Sequence, residues 1–270
     1  LPLFKTALDA NPKVEQFWLS YIESLIKEQQ YETAKQVIAA GKQQGFSGDK
    51  LDALKAQLTS SADGKVPPQA TTNNLLEYYQ AGRYGDAENL ALSMTEEFPE
   101  YPLGWKVLGA VLKQTDRLDA SLSALAKSVQ LAPEDAEAHS NLGVTLQELG
   151  RLEEAEVSLR QAIELKPLFA EAHNNLGSIL KKLDRFDEAE ASYRRAIAIK
   201  PDFAPYNNLG DTLNKLGRLD QAEASFRQAI ELNPDNAYAY HAIGNTLQAQ
   251  GKIDEAIASY RQAVTRKPDF

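Results

Sequence analysis

Apolar residues recur along most of this chain at the three- and four-residue spacing of amphipathic helices. In the segment 170–203, His173, Leu176 and Leu180 share one helical face, and a second run contains Tyr193 and Ile197. A short polar turn with the sequence Asp-Arg separates the two runs. The pattern therefore predicts a pair of helices joined by a tight turn.

The same pair of helices recurs at a fixed interval. The units end at prolines that are 34 residues apart, except for one step of 33: Pro99, Pro133, Pro167, Pro201, Pro234 and Pro268. A constant period of this length is typical of a solenoid, in which each unit buries its core against its neighbours. We predict six repeats, called A to F below, over about 68–101 (degenerate) and over 102–135, 136–169, 170–203, 204–236 and 237–270.

Small residues recur at two places in each unit. A glycine and a basic residue, such as Gly150 and Arg151, follow the first helix, where glycine ends a helix without a Cβ penalty. A second glycine, such as Gly177, lies within the first helix, where it costs about 1 kcal/mol in helix propensity. We expect this glycine to face the small Ala189 of the second helix, so that the two helices approach closely.

The first part of the chain departs from this regularity. Residues 1–59 suggest a partial unit, with a half repeat over 1–12, a degenerate repeat that begins near Glu15 and an extra helix over 49–58. The segment 60–72, rich in Ser, Thr and Pro, predicts a linker to an array over 73–270. The chain begins within a half repeat and ends without a polar capping helix. We therefore expect a longer native protein, or apolar edges that form a homo-oligomer.

The aligned units share the pattern W/H/Y-x2-L/I-G-x2-L, then A-x3-L/F/Y, a further alanine and the proline. In this pattern the chain resembles the tetratricopeptide repeat family, most closely in repeats C to F and more loosely in repeat B. The resemblance implies an all-α, right-handed superhelix of antiparallel helix pairs whose concave groove binds a protein or peptide.

Within the family, the run AEAHNNLG is most similar to the arrays that precede the catalytic domain of O-linked N-acetylglucosamine transferases. It is also similar to bacterial proteins in which such arrays precede sulfotransferase or glycosyltransferase domains. The alternative to a free-standing scaffold is therefore the substrate-recognition arm of a larger transferase.

Composition argues against several other functions. The formal net charge of −9 does not fit a generic nucleic-acid binder, which needs a basic face. No apolar segment is long enough to span a membrane and no signal peptide is visible, so we expect a cytoplasmic protein. Cysteine is absent, as are nucleophile, phosphate-loop and dinucleotide motifs. We expect no catalytic residue, metal or cofactor in these residues, and we assign the acidic runs RLEEAE, RFDEAE and RLDQAE to helix starts.

Asparagine recurs just before the Leu-Gly pair of the first helix, a place that helix propensity disfavours. In the transferase arrays that this chain resembles, asparagines at this place line the concave surface and hold a peptide main chain. An amide suits that role because it both donates and accepts. The resemblance carries over to Asn141, Asn175 and Asn208 but fails at Val107 and Ala242. We expect the groove to contain these three asparagines with Asn174, Asn207, Lys181, Lys215, His241 and Asn245.

Two alternatives remain open for these residues. The amides could bond to neighbouring repeats instead of a ligand, and the array could serve self-assembly through its ends. The mixed charge of the groove positions, with a basic bias in the middle, favours an acidic or neutral extended segment over a basic one.

Overall fold

The structure is a computed structural model that describes residues 66–268 without interruption. Nearer the amino terminus it describes residues 5–6, 8, 10–11, 13–28, 30–44, 46, 48 and 50–54. Over these residues the chain forms helices joined by turns, with no β-strand. The fold is therefore all-α, as the apolar spacing predicts.

The helices alternate along the chain as first and second members of successive pairs. In chain order they are α1 Glu15–Lys27, α2 Tyr31–Gln43, α3 Gln69–Gln80, α4 Tyr84–Glu97, α5 Pro102–Gln114, α6 Leu118–Leu131, α7 Ala136–Glu148, α8 Leu152–Leu165, α9 Ala170–Lys182, α10 Phe186–Ile199, α11 Phe203–Lys215, α12 Leu219–Leu232, α13 Ala237–Ala249 and α14 Ile253–Arg266.

The pairs stack in line, and the stack has two unlike sides. Each first helix packs against its own second helix, and from α4 onward each second helix packs against the first helix of the next repeat where one follows. From α3 onward each first helix also contacts the next first helix, whereas within the described residues no second helix contacts the next second helix. The first helices therefore line the tighter, concave side of the stack.

The glycine within the first helix of repeats B to F makes room for a large side chain. A Cβ on Gly177 would lie 2.6 Å from the ring of Tyr193, and one on Gly210 would lie 2.7 Å from the ring of Phe226. The nearest side chain to these glycines is thus the bulky residue of the second helix. In repeat C the carbonyl of Ala155 also lies 3.2 Å from a Cβ on Gly143, so the helices approach closely there as expected. The helix accepts the propensity cost of glycine because the ring passes directly over its backbone.

The turn within each repeat has one residue with positive φ. Gly150, Gly217 and Gly251 adopt φ of 77°, 71° and 78°. Asp184 in repeat D and Asp116 in repeat B take the same conformation at φ of 57° and 60°. Aspartate is one of the few residues other than glycine that enters this region, but it does so at a steric cost.

A polar contact closes each of three repeat junctions. The Trp105 indole nitrogen donates to the carbonyl of Pro99 at 2.8 Å. The Nε2 atoms of His139 and His173 lie 2.9 and 3.1 Å from the carbonyls of Pro133 and Pro167. Each ring bonds to a backbone carbonyl just after the preceding second helix. This structural role explains why the three residues share one position of the repeat.

Ion pairs join one repeat to the next on the side of the second helices. In four of the turns the basic residue reaches back to a glutamate of the preceding second helix, as in Arg185–Glu156 at 2.6 Å and Arg218–Glu190 at 2.7 Å. Lys252 and Glu223 repeat the contact at 3.0 Å. The last glutamate of each acidic run thus bonds between repeats, a role that assignment to the helix start did not predict.

The amino-terminal helices form a core of their own. Trp18, Ile22 and Leu25 of α1 pack with Ala34 of α2 and with Leu51. Residues 50–54 are helical, whereas residues 55–58 of the predicted extra helix and most of the half repeat over 1–12 lie outside the described residues.

The predicted linker over 60–72 needs a correction at its carboxyl end. Residues 69–72 already belong to α3, because Pro68 stands just before the first helical residue and its extended backbone suits a helix start. Residues 60–65 lie outside the described residues.

Candidate functional site

The predicted asparagine row lies on three consecutive first helices. Asn141, Asn175 and Asn208 belong to α7, α9 and α11, and all three are half-buried. The side chains of Asn141 and Asn175 form no hydrogen bond with any residue that the structure describes, whereas Asn208 has a neighbour. Both amides are partly exposed, so a ligand can reach their hydrogen-bonding groups.

The amide of Asn208 bonds across a repeat boundary. Its Nδ2 donates to the Oδ1 of Asn174 on the preceding first helix at 3.0 Å. This contact leaves the Oδ1 of Asn208 and the Nδ2 of Asn174 available. One acceptor and one donor therefore lie side by side, which is the complement of a single peptide unit.

Asn207 occupies a different environment from its neighbours. Its side chain is only 8% exposed, and its buried Oδ1 has no hydrogen-bond partner among the described residues. This side chain therefore lies beneath the surface of the array. Of the two adjacent asparagines in repeat E, Asn208 is the accessible one.

A polar chain crosses three repeats beside the amide row. Lys181 Nζ lies 3.4 Å from Asp211 Oδ2, and the hydroxyl of Tyr238 donates to the same carboxylate at 2.7 Å. Burial of Tyr238, together with its hydrogen bond to Asp211 and the charge of that group, raises the pKa of the tyrosine. The hydroxyl therefore stays a donor at neutral pH, and the chain fixes the relative positions of α9, α11 and α13.

An open cleft of about 430 Å³ adjoins this polar chain. Its lining residues are Lys181, Lys182, Asp184, Phe186, Asp211, Asn214 and Lys215. Lys182 and Lys215 are exposed, and neither forms an ion pair with a described residue. The cleft thus offers two uncommitted ammonium groups beside a lysine that is already paired. This arrangement suits a carboxylate better than a second cation.

The carboxyl-terminal part of the row is aromatic. The ring of His241 lies 5.7 Å from that of Tyr260, whose hydroxyl donates to Asn245 at 2.8 Å and to Gln248 at 3.0 Å. Tyr260 belongs to the second helix of repeat F, yet its hydroxyl reaches the side of the first helices over Gly244. Tyr260 therefore lies near both His241 and Asn245. These two residues belong to a later repeat than Lys215 and Asn208, at least 26 residues further along the chain, so they extend the row instead of joining its centre.

Tyr193 makes the same passage in repeat D. Its ring lies over Gly177, and its hydroxyl donates to Ser178 at 3.2 Å. Burial raises the pKa of Tyr193 to about 12. Sequence reasoning assigned these tyrosines to the core only. The signal that could have found them is a tyrosine opposite a helical glycine, since Leu159 and Phe226 at the same place carry no polar tip.

Repeats B and F limit the row at both ends. Val107 and Ala242 are buried where the central repeats have asparagine. In repeat B, Lys106 bonds to Asp135 at 2.8 Å and to Glu137 at 3.3 Å. Burial alone would lower the pKa of Lys106, but these two carboxylates raise it, so the lysine is charged and committed to its neighbours.

The described part of the chain offers neither a metal-binding cluster nor a membrane-spanning helix. Among the described residues, no three His, Asp or Glu side chains lie together in a way that could hold a metal ion. No described helix has both the length and the apolar character needed to cross a membrane.

Comparison with known proteins decides the family. Five models of the tetratricopeptide repeat match residues 74–136, 124–157, 148–184, 170–203 and 202–269, and together they span the array from 74 to 269. The chain belongs to the tetratricopeptide repeat family. No curated protein matches it.

Solved tetratricopeptide structures share the fold. The crystal structure of MamA is 26% identical, with a TM-score of 0.56 over 60% of this chain and 95% of that one. YrrB, described as a tetratricopeptide protein with an unusual peptide-binding site, is 22% identical, with a TM-score of 0.55 over 66% of this chain and 93% of that one. Pseudomonas aeruginosa pilF is 19% identical, with a TM-score of 0.66 over 74% and 92% of the two chains. The repeats and these neighbours support a protein-interaction scaffold.

Proposed function

We propose that this tetratricopeptide array binds an extended peptide along its first helices, with Asn141, Asn175 and Asn208 holding the peptide main chain. The observation that carries the proposal is the set of half-buried amides on three consecutive first helices. Two of these amides have no partner among the described residues, and the third leaves its oxygen available after bonding to Asn174.

Amides are suited to a main chain because every peptide unit presents one N–H and one carbonyl group. A row of amides on successive first helices meets an extended strand at regular intervals, whatever its side chains. YrrB has this fold and a peptide-binding site in its description, which supports the proposal by analogy of fold. The neighbour contact between Asn208 and Asn174 does not compete with this role, because it orients both amides and uses only one group of each.

The charges beside the row indicate the class of peptide. Lys182 and Lys215 have no acidic partner among the described residues, whereas Asp211 is already bonded to Lys181 and Tyr238. An acidic or neutral segment that passes repeats D and E therefore gains attraction without displacing an existing pair. We propose that acidic residues in the bound segment face this cleft.

Selection from a library of short random peptides tests the proposal. Peptides that bind the intact chain should bind the variant N141A/N175A/N208A more weakly. Loss of three amides, each with one hydrogen bond of about 0.5–1.5 kcal/mol, gives about 1.5–4.5 kcal/mol, a roughly 10- to 2,000-fold rise in Kd.

The matched control is Asn89→Ala, an exposed asparagine on the second helix α4. It should leave both affinity and thermal stability unchanged. Selected peptides that bind the triple variant as tightly as the parent would refute the groove proposal.

A further inference from the structure

Three exposed apolar side chains lie along one edge of the array, where consecutive first helices begin. Leu168 is in the turn before α9, Phe203 is the first residue of α11 and Tyr238 is the second residue of α13. Their exposed fractions are 66%, 38% and 42%. We call these three residues the apolar rim.

The apolar rim is not exposed because the array ends there. Leu168 and Phe203 lie at interior junctions, between repeats C and D and between repeats D and E. The second residues of α7 and α9, Glu137 and Glu171, hold the place of Tyr238 and are exposed as well. This edge of the first helices is therefore accessible in every repeat from C to F.

Consecutive first helices run in the same direction. Asn208 of α11 bonds to Asn174 of α9 in the amino-terminal halves of both helices. Asn214 of α11 donates to Thr246 of α13 at 2.9 Å in the carboxyl-terminal halves. The amino ends of the first helices therefore share one edge of the groove, and their carboxyl ends share the other.

The groove consequently has three strips of different chemistry. The apolar rim follows the amino ends, the asparagine row follows the middle, and Lys182 and Lys215 are the last residues of α9 and α11. Along α9, Asn175 is five residues from the first residue and seven from the last, or about 8 and 10 Å at the helical rise. Two facing side chains can bridge such distances.

An extended strand matches this order of strips. Its hydrogen-bonding groups point across the strand, and its successive side chains point to opposite sides. When such a strand crosses the first helices with alternate peptide groups on the asparagine row, one set of side chains faces the apolar rim. The other set, one residue out of step, faces the lysines.

We propose that the ligand is an extended protein segment in which apolar and acidic residues alternate. This ligand class rests on the proposed function, because the asparagine row must hold the main chain of the segment. Apolar side chains on one side of the strand remove Leu168 and Phe203 from water. Carboxylates on the other side lie near Lys182 and Lys215, which form no ion pair with a described residue.

Two labelled peptides of the same composition test the alternation by fluorescence anisotropy with the intact chain. In one peptide valine and glutamate alternate, and in the other they follow each other in pairs. The alternating peptide should bind at least roughly tenfold more tightly, because the paired order directs half of each kind of side chain to the wrong edge. Equal affinity for the two peptides, or no binding of the alternating one, would overturn the proposal.

Substitutions on the apolar rim test its role. The variant L168S/F203S should raise the dissociation constant of the alternating peptide at least roughly tenfold. Leu168→Ser alone should raise it several-fold and keep the melting temperature of the parent, which separates a lost contact from a lost fold. The matched control is Val157→Ser on the second helix α8, where the parent side chain is 69% exposed. Parent-like affinity in both rim variants would exclude this edge from the site.

The variant N141A/N175A/N208A distinguishes the two proposals. Peptides that bind the parent equally well, but bind this variant more weakly, would overturn the alternation and leave the peptide-binding groove intact. Unchanged affinity of the alternating peptide for this variant would overturn the groove proposal and the alternation with it.

Discussion

Replacing Gly177 by alanine tests the packing inside a repeat. The added Cβ would lie 2.6, 2.8 and 2.9 Å from three ring atoms of Tyr193, well inside ordinary contact distance. Tyr193 is fully buried and its hydroxyl is bonded to Ser178, so the ring cannot turn aside. The two helices must separate instead. Overpacking of this kind destabilises a protein by about 1–3 kcal/mol. The higher helix propensity of alanine offsets about 1 kcal/mol of this cost at most.

We therefore expect Gly177→Ala to lower the free energy of unfolding by about 1–2 kcal/mol. The matched control is Gly85→Ala in α4, where a new Cβ meets nothing within 4 Å. The same substitution there should raise the free energy of unfolding by about 0.5 kcal/mol, because only propensity changes. Urea titration of both variants followed by circular dichroism measures the two midpoints. Equal midpoints, or a stabilised Gly177→Ala, would refute the account of the glycine.

Two further predictions follow from the turns and the ion pairs. Asp184→Gly should raise the free energy of unfolding by about 0.5–1 kcal/mol, because Asp184 has positive φ; Gly217→Asp should lower it similarly, and thermal melting checks both. Burial works to raise the pKa of Glu223, but hydrogen bonds from Arg227 and Lys252 lower it overall. The stability from this shift is therefore present above the unfolded-state pKa near 4.5 and is lost as pH falls through the folded value. The variant Glu223→Gln should lose less stability than the parent between neutral and acid pH in urea titrations, and an unchanged acid dependence would contradict this assignment.

The sequence predicts contacts within a repeat well because they recur at fixed spacing. The helix pairs, the turn glycines and the proline stops all follow from one aligned unit, since each depends on local conformation. His173 and Trp105 occupy the same position of the repeat, which favours a packing role for both, and the structure adds the carbonyl that each ring contacts.

Contacts between repeats were harder to predict because they depend on the offset between stacked units. Glu190 looked like a helix-start carboxylate, but its side chain is 6% exposed and lies between Arg194 and Arg218. Asn207 and Asn208 are neighbours in sequence, yet the side chain of Asn207 is buried and that of Asn208 is partly exposed. Their different burial depends on how neighbouring repeats stack, and a single sequence does not specify that stacking.

Side-chain amide signals give the most direct test of the peptide-binding groove. In a nitrogen-15 correlation spectrum, a selected peptide should shift the NH₂ pairs of Asn141, Asn175 and Asn208 and slow their exchange with water. The NH₂ pair of Asn89, on the side of the second helices, should not move. Peptide binding that leaves the three groove signals in place and shifts Asn89 or its neighbours would contradict the account.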